Sequence, residues 1–401
     1  MKKHLILFFL FVLNVHVFAQ YQLGHRTITF NDPARSRDIP TEIYYPATTA
    51  GDNVPVANGT FPVIVVGHGF VMATPALYQY LWDSIATKGF IMAFPTNESS
   101  SVFPPPNHLN FGTDLAFLVD TLLGSNTVSS SFLFGKVTNK AALMGHSMGG
   151  KAAWIAAHIT TKATTIFTIG AAISNPPIGT AVDVLGEYAK NITIPAVSMG
   201  AEFDCVAPPA DNQKLLYDTC AASCKYYILI KGGGHCYFAS QAGSGLTKCE
   251  TGENSSCTAN FTITRAQQNE YTLKFVIPWL NYQLKNNVAD GVAFKTLATT
   301  SNLVTTVTNC TSNVGVNQYQ STNVIDVFPN PATESINLFV ENGNRIDVNI
   351  FNLIGSKTYS NSFYSASNST YTINSEFLNK GVYFIEINID GNKLTKKLII
   401  K

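Results

Sequence analysis

Gly145-His146-Ser147-Met148-Gly149-Gly150 follows a short apolar run, residues 141–144, and precedes an alanine-rich helical one, residues 152–158. Strand, sharp elbow and helix are the context that a G-x-S-x-G serine nucleophile requires. The glycines have a mechanical part to play. A serine held on a strained turn between strand and helix leaves no room for side chains at the flanking positions. On this reading Ser147 stands above the end of a sheet; the plainer alternative is a serine that only caps a helix N-terminus.

Working outward from the elbow, residues 20–287 alternate short apolar runs with helix-like segments. This pattern predicts an α/β fold with a mostly parallel central sheet. The expected strands are 61–66, 90–94, 141–144, 165–169, 194–199 and 226–230, short and largely apolar, as strands covered on both faces are. Helical patterns occupy 77–86, 114–123 and 152–158, and a final amphipathic run, 266–284, is expected to pack across the sheet. Residues 288–325 dissolve into Thr, Ser, Asn and Val without a sustained period and read as a linker. Residues 326–401 alternate at period two (335–340, 347–351, 382–387) between turns such as Asp390-Gly391, which predicts a small all-β antiparallel sandwich.

At the N-terminus Met1-Lys2-Lys3, the apolar run 5–18 and Ala19-Gln20 read as the three regions of a signal peptide, residues 1–19. The apolar run is shorter than the roughly 20 residues of a membrane span and contains Asn14 and His16. No other segment is apolar enough to cross a bilayer. With 26 basic against 25 acidic residues there is no electrostatic case for nucleic acid or anionic membrane, so a neutral or apolar partner is expected. All seven cysteines lie beyond the leader, and Cys205, Cys220, Cys224, Cys236, Cys249 and Cys257 crowd into one stretch. In an exported protein they read as a disulfide framework. Spacing leaves the connectivity open; the expected bridges are Cys205–Cys236, tying together two loops of the site, and Cys249–Cys257. Cys220 and Cys224 are then left for each other, and Cys310 stands alone. The run Cys249 to Glu253 with Cys257 lacks a histidine and paired C-x-x-C spacing, so no metal is expected.

A serine hydroxyl needs a neutral imidazole to take its proton and a carboxylate to hold that imidazole in the right tautomer. In the order Ser, acid, His, the base falls on His235, since His158 lies on the helix that Ser147 opens. Lys231-Gly232-Gly233-Gly234 lets the backbone turn tightly and bring the ring over the sheet edge. Asp204, just after the strand 194–199 and its continuation, is the expected acid; Glu202 is the nearest rival, and Asp183, Asp211 and Asp218 are less well placed. The oxyanion needs two N–H donors, here Met148 after the serine and Phe70 in the turn Gly67-His68-Gly69-Phe70. His68 precedes the serine and breaks the order.

These segments, Gly145 to Gly150, Gly69-Phe70 and Asp204-Cys205-Val206-Ala207-Pro208, resemble the motifs of bacterial cutinases and polyester hydrolases, including those acting on poly(ethylene terephthalate). The resemblance spans roughly residues 20–284. It implies the α/β-hydrolase fold and an apolar groove lined by Phe70, Met148 and Val206, and it includes the bridge near acid and histidine that some members possess. Such enzymes carry a stacking tryptophan where this chain reads Gly170-Ala171-Ala172-Ile173-Ser174-Asn175-Pro176, so Tyr237 and Phe238 are the candidate replacement rings. The opening Pro329-Asn330-Pro331, the step Gly381-Val382-Tyr383 and the basic-apolar tail resemble the C-terminal sorting domain of cargo for the type IX secretion system of Bacteroidetes. That resemblance implies secretion, and the secretion machinery as a partner.

The expected function is therefore a secreted serine ester hydrolase of cutinase or polyesterase type, without metal or organic cofactor. A general carboxylesterase or lipase is the alternative within the enzymes. A non-catalytic surface adhesion protein is the alternative outside them.

Overall fold

The computed structural model describes residues 21–98, 105–173, 181–240, 244–258, 260–310, 325–353, 355–390 and 392–401. The expected leader therefore lies outside the described residues. The chain divides into two compact units, Met1–Thr311 and Ser312–Lys401.

The first unit opens with an antiparallel hairpin, β1 (Gln22–Asp32) and β2 (Arg37–Ala47), and the short edge strand β3 (Gly51–Asp52). There follow β4 (Phe61–Gly67), α1 (Gln79–Ile85), β5 (Ile91–Pro95), α2 (His108–Gly124), β6 (Val137–His146) and α3 (Met148–Ile159). Then come β7 (Ala163–Ile169), β8 (Ala196–Ala201), α4 (Gln213–Thr219), β9 (Lys225–Ile230), α5 (Ser244–Ser256), α6 (Arg265–Lys285), α7 (Val288–Thr300) and β10 (Val304–Thr308). They form a ten-stranded sheet in the order β10-β9-β8-β7-β6-β4-β5-β2-β1-β3. The stretch from β5 through β4 and β6 to β9 is parallel throughout.

Every residue of β4, β5 and β8 is buried. The reason is visible in β4, where successive side chains point to opposite faces. Val63 and Val65 join the core under α2 and α3, with Phe111, Leu115, Trp154 and Ile155. Ile64 and Val66 join the core under α1, α6 and α7, with Leu81, Phe275, Trp279 and Phe294. After β5 the chain returns to the far side of β4 to lay down β6, so β4 and β6 flank a point where the winding reverses, the usual ligand crevice of an open α/β sheet.

Residues 288–310, expected as linker, belong instead to the first unit. Phe294 of α7 is buried against Tyr226 and Trp279, with ring centroids at 5.0 and 4.9 Å. Burying such a ring contributes roughly 2 to 3 kcal/mol. The Val- and Thr-rich run forms β10, which pairs antiparallel with β9 from Val304↔Ile230 to Thr308↔Tyr226. Cys310 is bonded to Cys224 just before β9. The remainder of the expected linker, 311–324, lies outside the described residues.

The second unit is all-β and antiparallel: β11 (Ile325–Phe328), β12 (Ser335–Asn352), β13 (Lys357–Asn374), β14 (Gly381–Ile389) and β15 (Asn392–Ile400) form a five-stranded sheet in the order β11-β12-β14-β15, with β13 also paired to the long β12. The period-two runs 335–340 and 347–351 are the two halves of β12. Ile336, Leu338, Val340, Ile346, Val348 and Ile350 all point into a single core. No helix among the described residues is long and apolar enough to cross a membrane.

Candidate active site

The elbow sits where β6 ends and α3 begins. Ser147 adopts φ 54° and ψ −120°, a conformation that a side chain makes costly. What permits it is the absence of side chains around it. A Cβ at Gly145 would be driven into the Gly149 carbonyl, and one at Gly149 into the Gly67 carbonyl. Backbones of β4, β6 and α3 therefore meet at contact distance beneath the serine.

Ser147, His235 and Asp204 form one hydrogen-bonded row. The Ser147 hydroxyl donates to His235 Nε2 at 2.9 Å, and His235 Nδ1–H donates to Asp204 Oδ2 at 2.7 Å. The other Asp204 oxygen accepts the N–H groups of Val206 and Ala207 at 3.1 and 2.6 Å, which fixes the carboxylate. All three residues are buried, with Ser147 7% and His235 2% exposed, so the row is shielded from bulk water. Burial works against charge on the His235 ring, but facing Asp204, with Glu253 nearby, outweighs it and holds the imidazole pKa above its ordinary value.

Phe70 lies in the turn after β4, beside Val71, a β-branched residue at φ 58°. Such strain at a turn needs surrounding structure to hold it. The Phe70 and Met148 N–H groups have no hydrogen-bond acceptor among the described residues. Ser147 and His235 open on a cleft of about 700 Å³ lined also by Phe70, Val71 and Val206. Val206 is 40% exposed at the cleft. Gly252 and Ser256 of α5 supply part of the wall, with Lys248.

Three expected lining side chains are elsewhere. Met148 is 3% exposed and packs into the core under α3, so its side chain does not line the cleft. Phe238 is fully buried against His146, at 5.9 Å, and belongs to the opposite core. Tyr237 turns away to pack on Phe261 at 4.7 Å, with the Arg265 guanidinium over its ring at 4.8 Å. The resemblance implies a place in the groove for Met148, and Tyr237 and Phe238 are candidates for standing beside His235; a helix turn or 3-10 turn rotates such neighbours onto different faces. Ser174, Asn175 and Pro176 lie outside the described residues.

The bridges also differ from expectation. Cys205 pairs with Cys257, Cys236 with Cys249 and Cys224 with Cys310, leaving Cys220 as a buried thiol. The expected Cys205–Cys236 and Cys249–Cys257 bridges are replaced by two that tie the histidine loop to α5 and the acid loop to the residue after it, because the fold brings that helix against both loops. Burial pushes the Cys220 thiol up.

The remaining candidates have other partners. His68 is enclosed by Phe94 and Phe111 and donates from Nδ1 to the Gly69 carbonyl; burial brings its pKa down to about 4. His158 packs edge-on against Tyr188. Glu202 accepts the Gly232 N–H at 2.8 Å, bracing the histidine loop, while Asp183 accepts the Gly186 N–H and Asp218 pairs with Lys214.

Two participants carry no motif. The Gly69 N–H donates to the Tyr78 hydroxyl at 2.9 Å, which in turn lies 2.9 Å from His146 Nδ1. His146 Nε2–H donates to the His235 carbonyl at 3.2 Å, so Nδ1 is the acceptor. Burial, then the nearby His235 ring, keeps His146 neutral by holding its pKa well below the ordinary value. This chain ties the Phe70 turn to the histidine loop. Glu253 of α5 is the second: it accepts the His235 N–H at 2.6 Å and the Cys236 N–H at 3.2 Å. Among the described residues no group of His, Cys, Asp and Glu is arranged to hold a metal ion.

Residues 39–252 match the family described as PET hydrolase-like, and residues 326–401 match the secretion system C-terminal sorting domain. The chain is 24% identical over 198 residues to Cutinase 1 of Thermobifida cellulosilytica, covering 48% of this chain and 64% of the relative. It is similarly 24% identical to a cutinase of Thermobifida fusca (strain YX), with 48% and 56% covered. Cutinase est1 of Thermobifida alba is 25% identical over 200 residues, again with 48% and 56% covered. The chain thus spans less than two thirds of the length of these relatives. Its sorting domain addresses it for secretion by the type IX system, to the cell surface or the extracellular space.

Proposed function

The chain belongs to the PET hydrolase-like family, and from that footing we propose that it is a serine ester hydrolase of cutinase or polyesterase type. The observation that carries the reading is the row Ser147, His235 and Asp204 opening on an apolar cleft. As Ser147 Oγ attacks the ester carbonyl carbon, His235 Nε2 takes its proton. Asp204 holds the Nδ1–H tautomer and stabilises the imidazolium. The carbonyl oxygen becomes an oxyanion between the Phe70 and Met148 N–H groups, where losing one donor costs about 3 kcal/mol. Collapse breaks the bond to the alkoxy oxygen, which leaves as the alcohol with the proton from His235. Water then attacks the acyl group on Ser147 through the same base, and the carboxylic acid departs.

The favoured substrates are esters with an apolar acyl unit, aromatic polyesters among them, seated against Phe70, Val71 and Val206. Phe70 is the one aromatic side chain lining the cleft among the described residues, an observation that favours a second reading, a carboxylesterase for small soluble esters. We propose that the C-terminal unit is removed or anchored during export and takes no part in the chemistry.

The test is release of soluble acid from an amorphous aromatic polyester film, beside hydrolysis of a short-chain nitrophenyl ester, by wild type and Ser147→Ala. Both activities are expected in the wild type and neither in the variant. Activity on the soluble ester alone selects the carboxylesterase. No activity, with no labelling by an organophosphonate, leaves a non-catalytic protein.

A further inference from the structure

Cys249, Glu253 and Cys257 are spaced by four residues, so they fall on one face of α5 and its continuation. Each attaches to a loop of the triad. Cys249 is bonded to Cys236, which follows His235, and Cys257 is bonded to Cys205, which follows Asp204. Between them Glu253, 1% exposed, takes the backbone N–H groups of His235 and Cys236, one on each oxygen.

We infer that Glu253 is a positioning residue for the general base: a second buried carboxylate that fixes the His235 backbone and favours the imidazolium, mounted on the helix that walls the cleft. The inference rests on the hydrolase reading above. A buried carboxylate is costly unless its oxygens are satisfied, and here both face N–H donors. Burial raises the Glu253 pKa, while the His235 ring and the two N–H groups oppose that rise.

The charged and titratable groups around His235 come from every packed element. Asp204 follows β8, His146 ends β6, and Tyr78 before α1 reaches it through His146. Glu253 comes from α5. Arg265, at the start of α6, donates to the Cys236 carbonyl and pairs with Glu250. His146 is held neutral, Arg265 is countered by Glu250, and Lys248 of α5 lines the cleft with His235, so Asp204 and Glu253 are the anions that favour charge on the ring.

The test compares wild type, Glu253→Gln and Glu253→Asp as full chains, with folding checked by circular dichroism. It measures kcat and KM for a short-chain nitrophenyl ester, and the rate of organophosphonate labelling, from pH 4.5 to 9. Gln keeps one acceptor and removes the charge. The expected result is an acid-limb midpoint about one pH unit lower, with plateau kcat reduced about tenfold and KM unchanged. Asp keeps the charge on a shorter arm, so its midpoint stays with the wild type while kcat falls. If Gln does not fold, the Asp profile carries the test, and a displaced midpoint there overturns the inference. A Gln midpoint superimposable on wild type overturns it too, as does failure of both variants to fold, which would make Glu253 a folding residue only. A wild type that neither turns over the ester nor labels sinks the hydrolase reading itself, an outcome separate from these.

Discussion

Cys205 and Cys257, 52 residues apart, are joined by a disulfide. Cys205 follows Asp204 and Cys257 follows α5, so the acid loop is tied to a cleft wall rather than to the histidine loop. Peptide mapping without reduction is expected to recover Cys205 with Cys257, Cys236 with Cys249 and Cys224 with Cys310. Cys220 should react with a thiol reagent only after unfolding. Recovery of Cys205 with Cys236 would reject this arrangement.

Removing that bridge frees the acid loop. The double change Cys205→Ser with Cys257→Ser is expected to lower unfolding free energy by about 3 kcal/mol. Urea denaturation at neutral pH measures it, and an unchanged midpoint would show the staple to be idle.

The pH dependence follows from His235. In the proposed mechanism the base works neutral, and the His235 pKa is held above the ordinary value of about 6.5 chiefly by Asp204, against burial. Activity is therefore lost as pH falls through that raised pKa and is full above it. In Asp204→Asn the raising charge is gone, so the midpoint moves to lower pH while kcat drops on the order of 10⁴-fold. A kcat/KM profile that is flat from pH 5 to 8 would remove His235 from the mechanism.

Gly149→Ala places a methyl group against the Gly67 carbonyl, backbone against backbone, where neither strand nor helix can give. The expected cost is about 3 kcal/mol or more, with ester hydrolysis lost as the Met148 N–H shifts. Thermal unfolding beside the nitrophenyl assay reads both effects. Near-native activity would mean that the elbow is looser than the contacts allow.

Tyr78→Phe leaves the Gly69 N–H and His146 Nδ1 without their shared partner in a buried place. The expected destabilisation is about 1 to 3 kcal/mol, with kcat reduced more than KM is raised because both oxyanion turn and histidine loop relax.

Phe70→Ala and Phe238→Ala separate cleft from core. The first is expected to raise KM for aromatic esters with little loss of stability. The second should cost about 3 to 5 kcal/mol of stability through a cavity beside His146, as buried phenylalanines do. Equal effects on KM would return Phe238 to the cleft.

Legibility varied with burial. Strands β4 to β9 are readable because each carries a short, mostly buried and largely apolar run. β1 and β2 were not, since one face is half exposed and polar residues such as Arg26, Thr27 and Glu42 interrupt the pattern. β10 escaped because an edge strand of Val and Thr looks like a linker until β9 stands beside it.

By itself the sequence determined the fold class, the elbow at Ser147 and the order of Ser147, Asp204 and His235, since these depend on local patterns of apolar residues and glycines. Only the tertiary structure decided the cysteine partners, the link from Tyr78 through His146, the burial of Phe238 and the place of Glu253. Those depend on which loops the sheet returns to one another and on how the inserted helix α5 meets them. No local signal carries that, because a side chain's partner across the fold is set by three-dimensional proximity, not by its neighbours in the chain.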